Sequence, residues 1–163
     1  MALRKHRPGE LVIEQTRDLF RVREMIASAG TMTEGIEWPA ACYLLAFDGD
    51  EAIGVIGVEA KIDAALIRSL FVKASMRRHG IGTALVAAAR KAAHTRGATH
   101  LYLLTKDAGE YFARLGFESV DVARVMNAMA GAPQVEHYRA HPGECACDAA
   151  YHLDISSDGV IER

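Results

Sequence analysis

The stretch Arg77-Arg78-His79-Gly80-Ile81-Gly82-Thr83-Ala84-Leu85 constrains the chain most. An apolar, β-branched run that ends at Leu70-Phe71-Val72 precedes it. The run that follows repeats Ile81, Leu85, Ala88, Ala89, Ala92 and Ala93 at helical spacing up to Gly97. This is a strand, a basic loop and a helix in direct succession. Gly80 and Gly82 remove side chains where a ligand would approach the backbone. The first amides of the helix have no intrahelical acceptor, and the helix dipole favours an anion beside them. Arg77 and Arg78 add positive charge, so the junction suits a phosphate or a pyrophosphate.

The rest of the chain limits which fold carries that junction. Leu11-Val12-Ile13 predicts a buried strand. A helix capped by Thr16 follows, with Leu19, Phe20, Val22, Arg23 and Ile26 along it, ending at Ala29-Gly30. Residues 31–40 read as a loop or a broken helix, because Pro39 holds Trp38 extended. Cys42–Phe47, Ala52–Lys61 and Leu66–Val72 are three strands joined by turns at 48–50 and 63–64. Such short connections permit only an antiparallel meander. His100–Leu104 is a further strand, joined to the meander through the helix and therefore parallel to its last strand. A short helix over Ala108–Leu115, a strand at Phe117–Val120, helical stretches at Val122–Met129 and Gln134–Ala140, and a last strand at Tyr151–Ile155 complete the order. The expectation is a mixed α/β fold. Its sheet has six or seven strands, an antiparallel meander followed by a β-loop-α-β unit. Residues 1–10 form a flexible lead-in, and 11–163 form one domain with a helical insertion at about 121–148.

Size and charge exclude several classes. A chain of 163 residues fits one domain with a full core. Nineteen basic against 21 acidic side chains give a net charge of −2, which argues against sequence-independent binding of nucleic acid. No apolar run approaches the ~20 residues needed to span a bilayer. The basic start Met1–His6 lacks the apolar region of a secretory signal. Cys42, Cys145 and Cys147 make an odd set, read as reduced thiols in a cytoplasm.

Three phosphate ligands compete for the basic loop. A Walker loop requires Gly-Lys-Ser/Thr, and no Lys follows Gly82. A dinucleotide fingerprint requires a third small residue where Leu85 stands, and an acid near His100, where there is none. The third ligand is the pyrophosphate of coenzyme A; a glycine turn flanked by solvated arginines is the bland alternative. Arg77-x-x-Gly80-x-Gly82, the strand before it and the Ala-rich helix after it resemble the signature of the GNAT superfamily of N-acetyltransferases. The element order over about residues 10–120 is similar as well, as is the ending Tyr111-Phe112-Ala113-Arg114-Leu115-Gly116-Phe117. More narrowly, Leu66-Ile67-Arg68-Ser69-Leu70 and Leu101-Tyr102-Leu103-Leu104-Thr105 resemble the ArsN-type branch, associated with arsenic-resistance gene clusters.

The resemblance implies acetyl-CoA as donor and a primary amine as acceptor. It assigns Arg77, Arg78, His79, Gly80, Ile81, Gly82 and Thr83 to the pyrophosphate. The backbone of Leu70, Phe71 and Val72 would hold the pantetheine arm and polarise the acetyl carbonyl. It makes Glu59, late in its strand, the candidate general base. In many relatives a Tyr four residues before the last Gly protonates the departing thiolate; here that position is Phe112, with Tyr111 about 100° away around the helix. An Asn common at the end of the preceding strand is Thr105, a candidate for the acceptor pocket. The acceptor is expected to be a small, anionic amine such as an amino-acid analogue, an arsenical one included. A binding or sensor module and a protein N-acetyltransferase are the alternatives.

Two further features stay open on the sequence. Arg68 lies within an apolar strand, where an unpaired charge is costly. It either pairs with Glu59 or forks onto an anionic acceptor; strand alternation puts it on the same face as Leu70. Trp38 either covers the acceptor or packs. His137, His141, Cys145 and Cys147 form a chemically complete zinc set at irregular spacing, and no metal is assigned to them. The helical segment at 121–150 offers a face for a second copy of the chain.

Overall fold

The structure, a computed structural model, describes residues 6–145 and 149–159. Its elements are β1 (Leu11–Thr16), α1 (Leu19–Ser28), β2 (Ala41–Asp48), β3 (Glu51–Ala60) and β4 (Ala64–Val72). A 3-10 turn (Ala74–Met76), α2 (Ile81–Thr95), β5 (His100–Thr105), α3 (Gly109–Arg114) and β6 (Glu118–Val120) follow. The chain continues through α4 (Val122–Ala128), α5 (Pro133–Ala140), α6 (Pro142–Cys145) and β7 (Ala149–Asp154).

One seven-stranded sheet has the order β1-β2-β3-β4-β5-β7-β6. The expected meander is present, with β1 to β4 antiparallel in sequence and β5 parallel to β4. The last strand in sequence is an interior strand of the sheet. It slots between β5 and β6, antiparallel to both, so β5 is paired along both edges.

Helices cover both faces. On one, α2 presses Ile81, Leu85, Ala89 and Ala93 onto Ala46, Ile56, Ile67 and Leu101. On the other, Val22, Met25 and Ile26 of α1 pack on Tyr43, Leu45 and Val55. Beside them Val125 of α4, Met129 at the end of that helix, and Val135 of α5 cover Leu66, Tyr102 and Ala150. Each Val, Leu, Ile or Met among them contributes about 1.5–3 kcal/mol on burial. Trp38 packs against this last group.

The start of α1 differs from expectation. Thr16 ends β1, and its hydroxyl accepts from the Asp18 amide at 3.1 Å. Asp18 is the cap, accepting from the Arg21 amide at 3.1 Å. With the helix starting two residues later, Val22, Met25 and Ile26 form the inner stripe and Phe20 is 72% exposed. The lead-in is tied down from His6 onward: the Gly9 amide donates to Asp48 at 2.7 Å, and the His6 ring lies 5.4 Å from that of Phe47.

Candidate active site

The site follows from a divergence of two strands. The β4–β5 ladder consists of Ala64↔His100, Ala65↔Leu101 and Leu66↔Tyr102. Beyond Leu66 the strands part, although β4 runs to Val72 and β5 to Thr105. A cleft of about 520 Å³ opens between them, lined by Ile67–Leu70 on one side and Leu103–Ala108 on the other.

A bulge shapes the β4 side. Val55 pairs with Phe71 and Gly57 with Arg68, so Ser69 and Leu70 together face the single residue Ile56. Ser69 takes up the extra length with φ 58°, in the left-handed region. The bulge corrects the expected alternation. Ile67, Leu70 and Val72 pack with the α2 side of the sheet, whereas Leu66 and Phe71 pack on the opposite side. Arg68 follows Leu66, so it and Leu70 lie on opposite faces.

The basic loop takes the form that its glycines require. Gly80 caps α2 with φ 76°, a conformation cheap only without a Cβ. Gly82 follows in the first turn, where a Cβ would lie 3.3 Å from the Tyr111 hydroxyl. Arg77 folds back: its Nε donates to the Val72 carbonyl at 2.9 Å, and its guanidinium sits 5.7 Å from the centre of the Phe71 ring. The His79 ring is 3.2 Å from the Met76 carbonyl. The 77–83 loop therefore sits directly beyond the end of β4, next to the cleft. The Tyr111 hydroxyl is 3.0 Å from that of Thr83 and bridges α3 to the α2 N-terminus. Phe112 is buried and meets Phe117 edge-on at 5.6 Å, leaving no hydroxyl at that position.

Of the two arrangements open for Arg68, the structure has the ion pair. Arg68 Nη1 donates to Glu59 Oε2 at 2.8 Å, with both side chains enclosed. The same guanidinium donates to the carbonyls of Glu34 and Met32, each at 2.9 Å, and to the Ser69 hydroxyl at 3.3 Å. The other Glu59 oxygen accepts from the Gln134 amide at 3.1 Å. Burial pushes the Glu59 carboxyl up, against the pull of Arg68 and of that amide. The pair ties two elements to the sheet: the 30–35 loop and the start of α5. Arg68 still borders the cleft, but Glu59 is fully buried with both oxygens engaged and lines none of it. Thr105 borders the cleft too, and its hydroxyl accepts from the Ala108 amide at 3.1 Å, fixing the turn after β5.

Sequence reasoning missed the far wall. Gln134, His137 and Tyr138 of α5 and Glu144 of α6 line the cleft. Their spacing of three and four along α5 is the available signal, since it places them on one helix face. Of the suggested zinc set, Cys147 lies outside the described residues. Among the described residues no three His, Cys, Asp or Glu side chains converge as metal ligands.

With this geometry in hand, comparison places the chain. It belongs to the acetyltransferase (GNAT) family, whose model matches residues 13–117. It is thereby an acetyltransferase. A Mycobacterium tuberculosis protein in complex with CoA superposes with a TM-score of 0.66 at 20% identity, over 88% of this chain and 98% of that one. An N-acetylglutamate synthase from Neisseria gonorrhoeae, complexed with coenzyme A and N-acetyl-glutamate, gives 0.67 at 20% identity, over 90% of this chain and 35% of that one. An aminoglycoside 6'-N-acetyltransferase complexed with coenzyme A gives 0.64 at 19%, over 93% and 98%. Such identities speak to the fold. No curated protein sequence matches the chain.

Proposed function

We propose that the chain transfers the acetyl group of acetyl-CoA to the primary amine of a small molecule held in the cleft between β4 and β5. One observation carries this reading: an anion-ready helix start with Gly80 and Gly82 lies directly beyond the bulged, unpaired edge of β4. The amides of the 77–83 loop receive the pyrophosphate of the donor. The backbone of Leu70, Phe71 and Val72, where β4 has parted from β5, receives its pantetheine arm and polarises the acetyl carbonyl. The acceptor enters from the side of α5 and attacks directly. Holding the two reactants together supplies about 7–11 kcal/mol of the barrier reduction. A thiol of pKa about 8.5 leaves as thiolate without a dedicated acid, in keeping with the buried Phe112.

The acceptor class is read more finely from the ArsN-type resemblance in β4 and β5. It favours an amino-acid analogue, arsenical ones included. Arg68 and Thr105 serve that acceptor by shaping the pocket, since their polar atoms hold the 30–35 loop and the turn after β5. The structural neighbour bound to N-acetyl-glutamate supports a small acceptor of this kind. No described helix is long and apolar enough to cross a membrane.

A second reading, an acetyl-CoA-binding module with little turnover, is favoured by Phe112 alone. One experiment separates them. Acetyl-CoA is added to the purified chain, and thermal stabilisation is measured. Free CoA release is then followed across small amines and amino-acid analogues. Stabilisation with release supports the enzyme, stabilisation without release supports the binding module, and neither result rejects both.

A further inference from the structure

An ammonium ion has no lone pair, so an alkyl amine must lose a proton before it attacks. Glu59 is enclosed and paired, so on the proposed acetyl transfer the proton acceptor has to be found elsewhere on the cleft. The α5–α6 segment follows the family-matched span, which ends at residue 117. Within it, His137 Nε2 lies 2.6 Å from Glu144 Oε2, and both residues line the cleft. The His137 side chain is only 15% exposed. Its ring stacks on His141 at 4.4 Å and meets Tyr138 edge-on at 5.8 Å. The bond to Glu144 uses Nε2 and leaves Nδ1 for a second partner. Lys106 and Asp107 border the same cleft from the turn after β5. The His137 hydrogen bond, with smaller help from His141 and Lys106, holds the Glu144 carboxyl below its ordinary range, so it stays an anion beside the ring. Imidazole is the side chain that exchanges a proton near neutral pH, and a carboxylate at one nitrogen fixes the orientation of the other.

We propose that His137, positioned by Glu144, takes the proton from the acceptor amine. One proton passes from the ammonium to the imidazole. The freed nitrogen attacks the thioester carbon, the C–N bond forms and the C–S bond breaks. The second nitrogen proton goes to the departing thiolate, and the imidazolium returns its proton to water. His137 is then a catalytic residue and Glu144 a positioning residue. Both lie beyond the part of the chain that defines the family.

The test uses two probe amines. Benzylamine is protonated at neutral pH; aniline is not. Acetyl-CoA stabilisation of the wild type, His137→Gln and Glu144→Gln is read first, followed by kcat and KM with each amine. His137→Gln is expected to lower kcat for benzylamine by about a hundredfold or more. It should change kcat for aniline by less than about threefold and leave KM for acetyl-CoA unaltered. Glu144→Gln is expected to show the same preference with a smaller loss, about tenfold. Equal losses with both amines, or no loss, overturn the assignment, because a structural role does not distinguish them. A wild type that is stabilised by acetyl-CoA yet releases CoA with no amine, the amino-acid analogues included, overturns it too. Absence of stabilisation in the wild type overturns the proposed function itself, and this assignment with it.

Discussion

Arg68 and Glu59 form an ion pair of 2.8 Å in which neither side chain is more than 2% exposed. Two charges taken out of water are tolerable only when their remaining hydrogen-bonding atoms are also engaged. The carbonyls of Met32 and Glu34 and the amide of Gln134 supply those partners. The pair is thus the joint at which the 30–35 loop and α5 are fixed to the sheet, and both of these border the cleft.

Removing one partner strands the other. Arg68→Met is expected to cost about 3–5 kcal/mol in urea denaturation. The double variant Arg68→Met with Glu59→Gln should lose less than the sum of the two single changes, by about 0.5–3 kcal/mol. Strict additivity would show that the charges do not interact. Arg68→Lys keeps the charge but cannot reach all four acceptors, so it should lower stability while leaving KM for acetyl-CoA near the wild-type value.

The donor site should fail at its glycines. A Cβ at Gly82 already approaches Tyr111, and a branched side chain there extends into the space over the first α2 amides. Gly82→Val is expected to abolish the stabilisation that acetyl-CoA gives, which is about 2.7 kcal/mol at a hundredfold excess over Kd. Gly80→Ala meets no neighbour but must hold φ 76°, so it should cost on the order of 1–2 kcal/mol of folding stability. An undiminished melting shift in Gly82→Val would place the donor elsewhere.

Tyr111 lies beside the site without occupying the position of an acid. Its hydroxyl is engaged with Thr83 at the head of α2. Tyr111→Phe should therefore raise KM for acetyl-CoA by a few-fold and leave kcat within about threefold, the loss of one neutral hydrogen bond. A fall in kcat of two orders of magnitude in a folded variant would make Tyr111 the proton donor.

The meander, the crossover helix and the phosphate loop were legible because each depends on local signals. The short turns read at 48–50 and 63–64 dictate antiparallel neighbours, and an apolar stripe followed by Gly97 dictates α2. The bulge at Ser69–Leu70 was not legible. Its position depends on pairing with β3, and Ser69 is not a residue that advertises positive φ. A single inserted residue reversed the face assigned to Leu70 relative to Arg68. The far wall was hidden for a related reason: a histidine on a short polar helix gives no sign of what it faces until the helix is docked. Glu59 reaches Gln134 across 75 residues of chain, a contact outside any local window.

Tyr43 gives a prediction about alkaline pH. The Tyr43 residue is 1% exposed, and its phenol oxygen finds no hydrogen-bond partner among the described residues. Burial, with only partial relief from Arg68, pushes its pKa from 10.0 up to about 12. The folded state therefore holds the proton more tightly than the unfolded state. Below pH 10 both states are protonated and the group has no pH-dependent effect. Between pH 10 and about 12 the unfolded chain ionises first, so stability falls as pH rises, by on the order of 2 kcal/mol over the window. Tyr43→Phe removes the phenol and should flatten that limb of the stability curve, measured by urea denaturation from pH 8 to 12. At neutral pH the same change deletes an unsatisfied buried hydroxyl and should stabilise by on the order of 1 kcal/mol. An unchanged alkaline limb in the variant would assign the loss to other groups. A clear destabilisation at neutral pH would show that the hydroxyl has a partner, such as a buried water.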